Sequence, residues 1–194
     1  MMGAAARPLP MVRRAIKAIG RRAGVLEPDR HTELVIPVGC AAPALAGWPP
    51  AAGGIVMRHH LTVIDPFVPT FLLDADVLAG VREVLEGFEP FTYELAGVRR
   101  FPGVLYLAPE PADPFIAITQ ALWQRFPEHP PYEGQFEEIV PHVTLALGAE
   151  PPGLAEHVAA RLPLHGRVDD VWLYMEDASG TWRAAERFAL GRRG

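Results

Sequence analysis

Two tetrads in the chain repeat one pattern: His60-Leu61-Thr62-Val63 and His142-Val143-Thr144-Leu145, each His-apolar-Thr-apolar. With seven His, seven Thr and 49% hydrophobic residues in a chain of 194, about 0.06 such tetrads are expected by chance, so two are no accident of composition. Along an extended strand alternate side chains share a face. Each His therefore stands beside its Thr, while the intervening apolar residues turn toward a core. Two imidazoles facing one cleft supply what phosphodiester hydrolysis needs. A neutral ring takes a proton from the attacking water, a protonated ring gives one to the leaving oxygen, and an ordinary pKa of about 6.5 allows both forms near neutrality. The Thr hydroxyls can donate to the non-bridging phosphate oxygens as these gain charge. This chemistry calls for neither a metal nor a nucleotide cofactor, and none is expected. One His beside one Thr on a strand is ordinarily a structural pair; the duplication is what makes His60 and His142 candidate catalytic residues.

Elements must hold these residues in place. Strands are expected at Thr32–Val38, Ile55–Ile64, Phe91–Ala96, Val104–Ala108, Ile139–Leu147, Arg167–Met175 and Trp182–Leu190, from β-branched and alternating runs bounded by Gly, Pro and Asp. Helices are expected at Leu73–Phe88, Pro114–Phe126 and Leu154–Leu162, from apolar residues at helical spacing. Cys40–Gly54 and Pro127–Gly134 read as loops. Each tetrad lies on a strand followed by a helix and then a hairpin. That duplicated order predicts an α+β fold with two antiparallel lobes, helices on the outer faces and a central groove.

With both tetrads placed, the chain resembles the 2′,5′-RNA ligase family of the two-histidine phosphoesterases, which is defined by paired His-x-Thr motifs. The resemblance runs over roughly residues 32–190. It includes HLTVIDPF (60–67), RFPGVLYLAPEP (100–111), ALWQRFPEHPPYEG (121–134) and VPHVTLAL (140–147). It implies a bilobal α+β fold with both motifs lining the groove. It also implies opening of cyclic phosphodiesters, chiefly 2′,3′-cyclic ends of RNA or nucleotides, or reversible ATP-independent 2′–5′ joining. Thr62 and Thr144, with Arg100 and Tyr106 of the RFPG segment and the strand after it, are the candidate substrate-binding residues. Tyr132 and Phe67 are weighed as stacking surfaces for a base. Two alternatives stand beside this reading: a small-nucleotide cyclic phosphodiesterase of the ADP-ribose cyclic phosphate type, and a non-catalytic RNA- or nucleotide-binding module.

Composition excludes other classes. Ser179 is the only serine and sits in a turn sequence, Asp-Ala-Ser-Gly-Thr, rather than a nucleophile elbow. Lys17 is the only lysine and is flanked by Ile16 and Ala18, so there is no P-loop and no well-placed lysyl nucleophile. Cys40 is the only cysteine, which removes disulfides and Cys-based zinc sites. A metal site from His59, His60 and His142 lacks the usual companion carboxylates. No apolar run reaches 18 residues. A monomeric, soluble, cytoplasmic protein without membrane attachment is expected. Its substrate would be an RNA end or a cyclic nucleotide, not duplex DNA.

Charge divides the chain. Residues 1–30 carry seven basic and two acidic groups, and the remainder carries 11 basic and 21 acidic ones. An acidic body is a poor platform for the many phosphate contacts of duplex binding. Residues 1–30 read as a loosely packed basic extension, and 31–194 as the phosphoesterase-like domain. Deleting residues 1–30 should leave activity on a small cyclic nucleotide within a few-fold, while weakening the binding of longer RNA and its salt dependence. A truncated chain assayed on both substrates checks this. A large loss on the small substrate would place the segment inside the domain.

Overall fold

The computed structural model of the protein describes residues 31–46, 48, 59–177 and 180–191. The basic segment 1–30, residues 55–58 of the strand expected at Ile55–Ile64, residues 47 and 49–54 of the Ala- and Gly-rich loop before it, and Ser179 lie outside the described residues.

Eight strands form one antiparallel sheet. They are β1 (Thr32–Pro37), β2 (His60–Ile64), β3 (Phe91–Phe101), β4 (Val104–Glu110), β5 (Val143–Leu147), β6 (Leu164–Val168), β7 (Asp170–Glu176) and β8 (Trp182–Ala189). The order across the sheet is β6-β3-β4-β5-β2-β1-β7-β8. The order does not follow the chain. β1 and β2 associate with β7 and β8 from the other end of the sequence, and the middle strands β3 to β6 make the other side. The hairpin that follows His60 is thus laid beside the strand of His142, and the hairpin that follows His142 lies beyond the strand of His60.

Among the described residues three α-helices accompany the sheet: α1 (Ala75–Leu85), α2 (Asp113–Arg125) and α3 (Leu154–Ala159). Asp74 caps α1, its carboxylate accepting from the backbone N–H of Asp76 and Val77 at 3.0 and 2.9 Å. Pro114 opens α2, where a missing N–H costs nothing. α1 packs on α2 and β8, α2 on β2, and α3 on β3. Their inner residues Val81, Leu85, Phe115, Ile118, Leu122 and Val158 join Leu34, Ile36, Leu61, Val63, Leu105, Leu107 and Val143 in one apolar core. At roughly 1.5–3 kcal/mol for each large side chain taken out of water, this core is the main stabilising term.

Three departures from the sequence expectations bear on the site. The β3–β4 hairpin turns at Pro102-Gly103 alone, with Gly103 at φ 77°, so Arg99, Arg100 and Phe101 are strand residues and alternate across the sheet. β5 begins at Val143, because Pro141 has no N–H to give the ladder, and His142 sits just outside the strand. The stretch expected as one strand from Arg167 is two. β6 was not legible because LHGRV is polar and carries a glycine. Its Gly166 lies opposite Tyr93, whose ring covers it closely enough that a Cβ there would overlap the phenol. Tyr93 is buried, with its hydroxyl 3.6 Å from Cys40 Sγ, and burial raises its pKa. Gly166→Ala should therefore force Tyr93 out of its site and cost about 1–3 kcal/mol. A fall in Tm of several degrees checks it, and an unchanged Tm would mean that the ring is free to move.

Candidate functional site

The two sides of the sheet meet where β2 pairs with β5, in register at Leu61 and Val143. Both of those residues are buried on the helix side. Strand alternation then turns His60, Thr62, His142 and Thr144 to the opposite face, as the paired tetrads predicted. The histidines are near enough that the charge of His60 helps to lower the pKa of His142, after the larger effect of burial.

His142 is held by its surroundings. Its Nδ1 lies 2.8 Å from the Val140 carbonyl oxygen. A carbonyl only accepts, so Nδ1 carries the proton and donates, leaving Nε2 as the nitrogen that can take or give one. The ring stands edge-on to Phe101 and Tyr106, with centroids 5.4 and 5.5 Å away. Those two aromatics stack on each other at 4.1 Å. Tyr106 pairs in register with Thr144 and so shares its face. Tyr106 is thus beside His142, on the face that carries both tetrads.

Around His60 the structure adds a carboxylate. Glu33 of β1 is 4% exposed, and its Oε1 lies 3.5 Å from His60 Nε2 and accepts a hydrogen bond of 2.8 Å from the Thr62 hydroxyl. Tyr132 enters from the segment 131–134. Its backbone N–H donates to the Asp65 carbonyl at 2.9 Å, and burial first, then the Asp65 and Glu33 charges, raise the pKa of its phenol, against a hydrogen bond with Thr62 that lowers it. Tyr132 and Glu133 both take left-handed backbone conformations, at φ 53° and 56°, which is uncommon for residues with a side chain. Glu33 carried a signal that the sequence reading passed over: one acid inside the apolar run TELVIPV, where a buried charge needs a partner.

The two threonines are therefore not equivalent. The Thr62 hydroxyl proton is committed to Glu33, whereas Thr144 makes no side-chain hydrogen bond to the described residues. Arg100 departs from its expected role. It lies opposite Leu105, on the face away from Phe101 and Tyr106, and its guanidinium holds Glu150 through two hydrogen bonds of 2.9 Å. Arg99, one residue earlier, pairs with Tyr106 and shares its face, but is bound to Glu110 at 2.9 Å. Phe67 is no stacking surface either. It is 2% exposed and packs edge-on to Phe126. Trp172 and Tyr174, which the sequence reading did not single out, pair with Val35 and Glu33 on β1 and stack on each other at 6.3 Å on the same face as the site. Arg187 lies over Trp172 and is bound to Asp170. Half-buried His59 has its pKa lowered by burial and then by His60. Among the described residues no cluster of three His, Cys, Asp or Glu is arranged to hold a metal, and no helix is long and apolar enough to cross a membrane.

Comparison with known proteins places this arrangement. A putative phosphoesterase of Bacillus pumilus (strain SAFR-032) is 28% identical over 143 residues, covering 70% of this chain and 81% of the relative. Among solved structures, apo LigT of E. coli superposes with a TM-score of 0.57 at 21% identity, covering 86% of this chain and all of that one. The protein TT0787 of Thermus thermophilus gives 0.59 at 20% identity, over 84% of this chain and all of that one. These likenesses carry the fold, a mixed α/β architecture with an antiparallel sheet. Residues 57–180, which include both tetrads, match the 2′-5′ RNA ligase superfamily. With that match over most of its length, and with the paired His-x-Thr motifs on one face, the chain belongs to the 2′-5′ RNA ligase superfamily.

Proposed function

We propose that this protein is a phosphodiesterase that opens 2′,3′-cyclic phosphate ends by general acid–base catalysis between His60 and His142. The register pair Leu61–Val143 carries the reading, because it puts both imidazoles and both Thr side chains on one face. One imidazole removes a proton from water as the oxygen attacks phosphorus. The other protonates the ribose oxygen as its P–O bond breaks, leaving a phosphomonoester. Thr144 donates to a non-bridging oxygen. The half-buried rings of Phe101, Trp172 and Tyr174 offer flat faces to a base, with Tyr106 backing Phe101. The reverse direction, 2′–5′ joining, uses the same two proton transfers. We place the protein in the cytoplasm as a monomer acting without a metal.

One observation favours a small nucleotide over a long RNA. Arg99, Arg100 and Arg187, on the strands around the site, are each bound to a carboxylate: Glu110, Glu150 and Asp170. Tracking a polyanion would require breaking those pairs. A small-nucleotide cyclic phosphodiesterase is therefore the second reading, within the same chemistry.

His60→Ala and His142→Ala should each lower turnover of a 2′,3′-cyclic nucleotide by roughly 10²–10⁴-fold. Thr144→Ala should cost about 10–10³-fold. Thr62→Ala and Arg100→Ala should cost less, since neither presents a free donor to the phosphate. EDTA should leave the rate unchanged. Steady-state kinetics on a panel of cyclic phosphates checks these values. Full activity in either His variant would overturn the proposal, and loss of activity in EDTA would replace it with a metal-dependent one.

A further inference from the structure

The two histidines share a face but not an environment, and the difference has a chemical direction. His142 stands against Phe101, Tyr106 and the Val140 carbonyl, and no carboxylate of the described residues is in contact with its ring. His60 stands against Glu33. An ionised carboxylate as buried as Glu33 is costly unless hydrogen bonds and an opposite charge offset it. The Thr62 hydroxyl supplies one hydrogen bond, and the imidazolium form of His60 supplies the charge. The other titratable groups facing this cluster among the described residues are His59 beside it on the chain, His142 across the strand junction, Asp65 after β2, Tyr132 from the segment 131–134, and Tyr174 of β7, which pairs with Glu33. His59 and His142 are each driven toward the neutral form by burial, so neither competes as a counter-ion. Asp65 adds a second negative charge on the same side. The raised pKa of Tyr132 keeps its phenol protonated, as a donor rather than a further anion.

We propose that Glu33 is a positioning residue that keeps His60 protonated, making His60 the proton donor and His142 the proton acceptor of the pair. At 3.5 Å the Glu33–His60 contact is longer than a tight hydrogen bond. The carboxylate thus holds the charge of the ring without locking its proton. Thr62 then acts as the tether that fixes the carboxylate, its hydroxyl donating to Glu33 Oε1. During hydrolysis the water proton goes to His142 Nε2, and the His60 proton goes to the leaving ribose oxygen. The pair ends with the protonation states exchanged, and solvent resets them. This assignment rests on the reading of His60 and His142 as the proton-transfer pair.

The test is an NMR titration of the His imidazoles in the full chain, run for the wild type, Glu33→Gln and Glu33→Asp, together with pH profiles of kcat/KM on a 2′,3′-cyclic nucleotide. In the wild type His60 should titrate above His142. Glu33→Gln keeps an acceptor for Thr62 but removes the charge. It should lower the His60 midpoint by about 1–2 pH units and move the basic limb of the rate profile down by a similar amount, with the acidic limb nearly in place. Glu33→Asp should restore most of the His60 midpoint. A His60 midpoint unmoved in Glu33→Gln would overturn the proposal, and so would a wild type in which His142 titrates above His60, whether or not the variant folds. The titration does not depend on turnover. Shifted midpoints without activity on any cyclic phosphate would overturn the functional reading while leaving the charge pairing intact. Turnover with an unmoved His60 would do the reverse.

Discussion

Everything at this site depends on one weak-looking junction. β2 and β5 meet in register at a single pair, Leu61 and Val143, both packed under the helices. A shift of one residue at that pair would turn either tetrad over, burying an imidazole and exposing a core residue. The apolar members of the two tetrads hold the register, since only one alignment puts Leu61, Val63 and Val143 into the core together. The same residues that drive folding thus set the geometry of the site, and the polar members need no separate device to share a face.

Around that junction the structure treats its two motifs unequally. On the β5 side the environment is aromatic: Phe101 stacks on Tyr106, and both present edges or faces to His142. On the β2 side it is acidic, with buried Glu33 beside the histidine and held by Thr62, and with Asp65 near Tyr132. A symmetric motif is made asymmetric by what neighbouring strands contribute. β4 supplies an aromatic to one half, and β1 supplies a carboxylate to the other. Arg99, Arg100 and Arg187, among the described residues, are drawn into pairs with Glu110, Glu150 and Asp170 rather than left unpaired beside the site.

How much of this could be read beforehand follows from period and polarity. The tetrads were legible because strand alternation is rigid: His-x-Thr on a strand must share a face. α1 and α2 were legible from their apolar spacing, with ends within a few residues. Arg100 was misplaced because the hairpin turn was drawn too long. With Arg99 to Phe101 treated as loop, nothing fixed which side chain faced the groove, whereas the two-residue turn at Pro102-Gly103 decides it. β6 was missed because its glycine makes sense only once Tyr93 is known to lie over it. Glu33 was missed for the opposite reason. In TELVIPV the apolar pattern dominates, and one acid at its start reads as a solvated strand end unless the neighbouring strands are known. Trp172 and Tyr174 reach the site's face through β1, a neighbour remote in sequence that local patterns do not reveal.

The interleaved strand order has a consequence for how the protein comes into being. β1 closes on β7, joining Leu34 to Leu173, while β3 closes on β6, joining Tyr93 to Gly166. Most of the pairings that flank the site therefore link residues far apart along the chain, which slows folding because long loops must close before contacts reward them. During synthesis the strand bearing Glu33 leaves the ribosome early and waits with one edge unpaired until β7 follows. A chain broken off after its second tetrad would hold all four motif residues, yet would lack the strand that seats β1 and with it the carboxylate beside His60. Premature products of this gene would thus be mispaired and aggregation-prone rather than partly active.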